Sequence, residues 1–242
     1  MNILDYVRIE TSTVDDGNMS YRYGEEDIVL SNKTMFWKNS GFKYKNTYQL
    51  KTNFEEFNHV EIVNDLPIDL TVVENTDSLI TNNPNIVLGL LTADCLQTTV
   101  YDVKNKVLSL IHSGFRWQDA GIIDKTFGLM NMEFKTDPKN VFVHLGNCIS
   151  KNFYRWDEGI FNNTKEDSWI RKTLIKDDHP NRPYMIDLRK STLLNLRSLG
   201  VKEKNILDTG LDYYSNEQYF SHIRSINTGE PEGRHITLVQ MK

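Results

Sequence analysis

Apolar residues along this chain come in short blocks separated by polar, turn-forming stretches, the pattern of many short strands with a few helices. Residues 3–10 form the first apolar block and lead into a polar loop, TSTVDDGNMSYRYGEE. Asp27 is placed to cap a helix through Asn32 and Lys33 to about Lys38, with Gly41 as its stop. Thr47 to Lys51, Val60 to Val63 and Leu70 to Glu74 read as short strands, and Asn75-Thr76-Asp77-Ser78 turns the chain toward Leu79-Ile80-Thr81.

The densest apolar blocks lie between Asn85 and Asp124. Ile86 to Leu91 ends in Thr92-Ala93-Asp94-Cys95, and Leu96 to Tyr101 continues extended. A polar turn, Asp102 to Lys106, precedes a second buried strand, Val107 to Ile111, so the two strands are expected to form a central hairpin. That strand runs into His112-Ser113-Gly114-Phe115-Arg116-Trp117, and from Asp119 a helical stripe appears at Ile122, Ile123, Phe127 and Met130. Further on, Val141 to Leu145 is a strand, a helix is expected from about Trp156 to Phe161, and Leu188 to Leu199 is a helix closed by Gly200. His235 to Met241 is the last strand. With no repeat or linker, residues 1–242 read as one domain.

Composition narrows the function classes. A net charge of −5 gives no footprint for nucleic acid, and no apolar run reaches the roughly 18 residues of a membrane span. The start lacks the basic and apolar regions of a signal peptide, and two cysteines make no disulfide framework. A cytoplasmic protein with reduced thiols is expected, monomeric or weakly self-associating.

Candidate chemistry concentrates in the central stretch. The hairpin is expected to bring Cys95 beside His112, although each taken alone is more often a core thiol or a structural histidine. Together they admit two sharper readings: two ligands of a zinc ion, with His59 the available third, or a Cys–His nucleophile pair. Two histidines and one thiolate would leave zinc an open fourth position, the catalytic pattern. Arg116 follows a glycine at a strand-to-helix turn, where backbone amides favour an anion; a surface ion pair is the alternative. Asp77 has an Asx-turn as its bland reading, and Asp94 a turn support.

These residues resemble the laccase-domain family, also called multicopper polyphenol oxidase-like or YfiH-like proteins. The family's T-A-D-C stands intact at Thr92 to Cys95, and its H-A-G-W-R-G appears as His112 to Trp117. Its G-P-C-I is similar to Gly146-Asn147-Cys148-Ile149, its F-F-S-Y-R-R to Tyr219 through Arg224, and its T-G-R to Gly233-Arg234. At the amino end Ser20 to Gly24 and Asn32-Lys33 stand where the family often has N-L-R-x-G and N-R. The resemblance implies an α/β (α+β) fold, a single layered domain with mixed sheets covered by helices. It implies zinc-dependent phosphorolysis of purine nucleosides (adenosine, inosine, methylthioadenosine), with deamination of adenosine beside it. Phosphate and nucleoside are then the partners, one zinc per chain sits on His59, Cys95 and His112, and Cys95, His112 and Arg116 are the catalytic set. Arg116, Arg22 and Arg224 are the expected substrate- and phosphate-binding arginines.

Two departures stand out. The family's metal histidine in Q-V-H-G has no direct counterpart; an ungapped match reaches His59, while aligning the following apolar residues reaches Glu56. Trp117 replaces a glycine. The six histidines are scattered with no H-x-H pair, so copper is the less expected metal and multicopper oxidation is not expected. A metal-free Cys–His hydrolase, as in the deamidating toxins whose fold the family shares, and a divergent non-catalytic binding protein remain the alternatives.

Overall fold

A computed structural model describes residues 1–242. In chain order the strands are β1 (Val7–Thr11), β2 (Thr47–Lys51), β3 (Val60–Ile62), β4 (Thr71–Glu74), β5 (Ser78–Thr81), β6 (Val87–Thr92), β7 (Leu96–Asp102), β8 (Val107–Ser113), β9 (Val141–Leu145), β10 (Arg155–Trp156), β11 (Ile175–Lys176), β12 (Tyr184–Met185), β13 (Ile206–Asp208) and β14 (His235–Met241). The helices are α1 (Glu26–Ser40), α2 (Phe115–Asp119), α3 (Ile122–Phe134), α4 (Gly159–Asn163), α5 (Trp169–Thr173), α6 (Leu188–Ser198) and α7 (His222–Thr228). One mixed sheet has the order β1-β14-β6-β2-β4, a second the order β13-β9-β7-β8-β5-β3, and β10, β12 and β11 make a small third.

The period of two along each strand explains the layering. Leu88 and Leu90 of β6 and Val239 of β14 meet Leu108 and Leu110 of β8 and Leu79 of β5, forming a core between the two large sheets. Val87, Ile236 and Leu238, on the other face of the first sheet, pack under Phe36 and Trp37 of α1. Val100 and Ile111 face α3 and α6 through Ile122, Phe127, Met130 and Leu196. The order is thus helix, sheet, sheet, helix, the mixed α/β architecture that the resemblance implies.

The elements form where the local chemistry places them. Gly41 (φ 70°) stops α1, and Gly200 (φ 97°) follows the end of α6. Two expectations are corrected. The Ile86–Tyr101 stretch is not one arm of a hairpin: β6 and β7 lie in different sheets, and only β7 pairs antiparallel with β8. The break is Asp94, whose backbone (φ 87°) turns the chain from one sheet to the next. The helix expected from Asp119 starts at Phe115, is interrupted at Gly121 (φ 83°) and resumes at Ile122. Both β7 and β8 do lie in the interior of their sheet.

Candidate functional site

The turn between β6 and β7 gathers three distant segments. Ile149 N–H donates to the Asp94 carbonyl at 2.9 Å, tying Gly146-Asn147-Cys148-Ile149 to the turn. The buried Asp94 carboxylate accepts from Ile223 N–H at 2.7 Å in the first turn of α7. His222 of the same helix reaches Glu232 at 2.6 Å, and Glu232 accepts from Arg234 at 2.8 Å. Asp94 therefore supports a turn, and does so for the whole site.

At the other end of the β7–β8 hairpin register, Gln97 is the direct partner of His112 and Leu96 that of Ser113. Cys95 comes just before the strand, two residues from His112's partner. Trp117 packs against His112. Its ring centroid is 4.0 Å from that of His112, and Phe54 and Phe57 meet its other sides at 5.5 and 5.3 Å. Gly114 has to be glycine here, because a Cβ would lie 2.6 Å from the Trp117 ring and 2.9 Å from Cys95 Sγ. The indole N–H donates to Asp77 Oδ1 at 2.6 Å, and Asp77 Oδ2 accepts from His59 N–H at 2.9 Å. Asp77 is fully buried, so it ties the loop before β3 to the Trp117 ring.

Zinc needs three donors within about 2.0–2.3 Å of one point. No three His, Cys, Asp or Glu side chains are gathered as a metal-holding group. His59 is held by its backbone to Asp77, and its ring turns to Glu56, 3.5 Å away, with 42% of the side chain exposed. His112 is buried under Trp117, its Nδ1 without a partner. The donors as placed do not fit a zinc ion, and Trp117, in the place of a glycine, covers the His112 ring. His59 and Glu56 lie side by side; neither joins Cys95 and His112.

Electrostatics also bears on a nucleophile pair. Burial, with the Asp94 carboxylate adding to it, pushes the Cys95 thiol up to about 12. Burial pushes the His112 imidazole down to about 3. At neutral pH both groups are uncharged, the opposite of a thiolate–imidazolium couple.

The arginines separate into different roles. Arg224 donates to Glu230 and to the carbonyls of Tyr213, Tyr214, Asn216 and Tyr219, so it clamps a loop. Arg116 is exposed, with only the rings of Phe115 (5.5 Å) and Phe57 (6.0 Å) near its guanidinium. Arg22 lines a cavity of about 510 Å³. That cavity lies between α1, β2, β4 and the end of β6, and its wall includes Tyr21, Lys33, Gln49, Phe54 and Arg234. Phe54 joins it to Trp117, and Arg234 joins it to the Asp94 turn through Glu232 and His222.

Gln49 is not singled out by the sequence, and Lys33 is singled out there only as part of the Asn32-Lys33 motif, not as a site residue. A signal was present: the buried positions of α1 are Val29, Lys33, Phe36 and Trp37, which puts a charge on the apolar stripe at helical spacing.

A two-sheet α/β core with motif segments converging on a Thr-Ala-Asp-Cys turn defines a laccase-domain protein. The chain belongs to that family: the model of the multi-copper polyphenol oxidoreductase laccase family matches residues 9–242. A Rickettsia conorii protein named purine nucleoside phosphorylase RC0672 is 27% identical, over 90% of this chain and 89% of its own length. The mouse purine nucleoside phosphorylase LACC1 is 26% identical over 88% of this chain. The chain spans about half the length of the first relatives it matches, 49% of the mouse protein and 56% of a Bacteroides thetaiotaomicron purine nucleoside phosphorylase. The fold is shared with solved structures of YlmD from Geobacillus stearothermophilus and of the hypothetical protein YfiH from Bacillus licheniformis. For YlmD the TM-score is 0.83 at 20% identity, covering 98% of this chain and 92% of that one. For YfiH it is 0.82 at 18%, covering 98% and 93%.

Proposed function

We propose that this protein cleaves purine nucleosides with phosphate, giving the free base and a sugar 1-phosphate. One observation carries the reading: Arg234, tied through Glu232 and His222 to the Asp94 turn, lines with the Ser20–Tyr23 segment and Lys33 a cavity that combines cations with aromatic rings. At about 510 Å³ the cavity has the volume of a small-molecule site. The relatives' names supply the reaction class.

In this reading a phosphate oxygen forms the new bond to the sugar C1′ as the bond from C1′ to purine N9 breaks; the bonding pair leaves with the base, which takes up the proton that the phosphate gives up. The chain's own contribution is to position and to balance charge. Arg22 and Arg234 face the cavity and offset the anion, while Tyr21 and Phe54 offer flat faces to the base. Asp94 keeps Arg234 in place through α7, His222 and Glu232.

Adenosine deamination requires an activated water, and zinc would supply it by lowering the water's pKa. The donor set does not fit that ion, so phosphorolysis alone is the function proposed. The test incubates purified protein with inosine, adenosine or methylthioadenosine, with and without phosphate, and follows free base by chromatography. Base release that requires phosphate and disappears in a Tyr21→Ala/Arg234→Ala variant is expected. Release that survives unchanged in the variant, or none with any nucleoside, overturns the reading.

A further inference from the structure

Lys33 is a charged side chain in a place where charge is unfavourable. It sits on the inner face of α1 with 1% of its surface exposed. Its ammonium has one hydrogen-bond acceptor, Gln49 Oε1 at 2.9 Å, and lies 4.8 Å from the centre of the Tyr21 ring. No carboxylate pairs with it. Taking an ammonium out of water without a counter-charge is strongly unfavourable. An apolar residue on the same stripe would make a more stable helix packing.

The other charges of the cavity sharpen the point. Lys51 is paired with Glu74 at 3.0 Å, and Arg234 with Glu232 at 2.8 Å. Arg22 has no carboxylate partner and stands over the Tyr23 ring at 5.4 Å. Among the cations lining this one cavity, Lys33 at its floor and Arg22 at its mouth are left without counter-charge. Burial lowers the Lys33 ammonium to about 8, which leaves it largely charged at neutral pH and open to a bound anion that restores it.

We propose that Lys33 and Arg22 form a phosphate subsite, Lys33 as the buried anchor and Arg22 as the outer clamp, for a phosphate group that is free or carried on a sugar. Gln49 fixes the Lys33 ammonium at the cavity wall, and the Tyr21 ring shields it from water. The phosphate oxygens accept from both cations, a stronger contact than either makes with a neutral group. The proposal rests on the phosphorylase reading for the identity of the anion, and on the unpaired charges for its place. Arg116, the anion clamp expected from sequence, does not line this cavity.

The test measures binding without catalysis. Inorganic phosphate and ribose 1-phosphate are titrated separately by calorimetry into wild type, Lys33→Met and Arg22→Ala, with chloride at matched ionic strength as control. Wild type should bind at least one of the two, and the arm that binds more tightly names the physiological form. Each variant should lose affinity by about tenfold or more, as expected for one charge-assisted contact. Arg22 is exposed, so its variant keeps the test valid should Lys33→Met fail to fold. No saturable binding of either probe to wild type, or equal binding by a folded variant, overturns the subsite. Binding without nucleoside cleavage would sustain the subsite and sink the phosphorylase reading. Cleavage whose phosphate dependence ignores both variants would do the reverse.

Discussion

Replacing Trp117 with Phe isolates one contact in the site. The substitution keeps a ring among Phe54, Phe57 and His112 but removes the N–H that donates to Asp77 at 2.6 Å. Asp77 is fully buried and keeps only backbone donors, so one carboxylate oxygen is left without its partner. A lost hydrogen bond to a charged group costs about 1.5–3 kcal/mol, or roughly 3–12 °C in Tm for a chain of this size. The pH dependence has a definite sign. Burial raises the Asp77 carboxyl, against the hydrogen bonds from His59 and Trp117 that lower it. A raised folded-state carboxyl means that the native state holds its proton longer, so ionisation at higher pH counts against folding. Without the indole N–H the carboxyl rises further, and the penalty of Trp117→Phe should grow as pH climbs from the acid side of the Asp77 titration to neutrality. Urea unfolding at pH 4.5 and pH 7.5 measures this directly. A loss under about 0.5 kcal/mol, or one equal at both pH values, refutes the role given to the Trp117–Asp77 bond.

Other consequences are as direct. Arg224→Lys should destabilise by about 2 kcal/mol, since one ammonium cannot serve four carbonyls and Glu230 together, and should change the Michaelis constants for phosphate and nucleoside alike; a selective effect on phosphate would return Arg224 to the binding set. Arg116→Ala should change the phosphate Michaelis constant by less than about twofold, because its exposed cation–π contacts are worth about 0.5–1 kcal/mol and it does not line the cavity. Burial holds the Cys148 thiol up at about 12, so it should resist iodoacetamide at pH 8 until urea unfolds the chain; fast native labelling would show the thiol to be accessible. Metal analysis should find well below about one zinc per chain, and a full equivalent that survives chelation would mean that Trp117 and His59 move aside to admit it.

Much of the fold is legible in the sequence because local signals agree with tertiary demands. Val141–Leu145 and His235–Met241 are largely apolar runs, Thr47–Lys51 alternates polar with apolar residues, and each is a strand with those bounds. Gly41 and Gly200 mark the ends of α1 and α6 for the same reason. The sheet change at Asp94 is not legible, since a single left-handed residue between two extended runs leaves no trace in the apolar pattern. Helix α7 is hidden too: its buried face is small and polar, and Asp94, distant in sequence, holds its first turn. The site follows the same division. The motifs identify the turn around Cys95, and the hairpin puts His112 near it. Whether His59 joins them depends on the packing of Trp117, Phe54 and Phe57, which spacing cannot reveal. Lys33 is visible as a charge on an apolar stripe, and only the cavity gives that charge a purpose.

The central claim is that phosphate is consumed as the glycosidic bond breaks. Phosphorus-31 NMR of the protein with inosine and inorganic phosphate tests it most directly, because it sees the new bond rather than the departing base. The phosphate resonance should decline as a sugar 1-phosphate resonance grows, in step with hypoxanthine, and in Lys33→Met the exchange should be slowed by about tenfold or more. Hypoxanthine appearing while the phosphate resonance stays constant would make the reaction a hydrolysis and contradict the account.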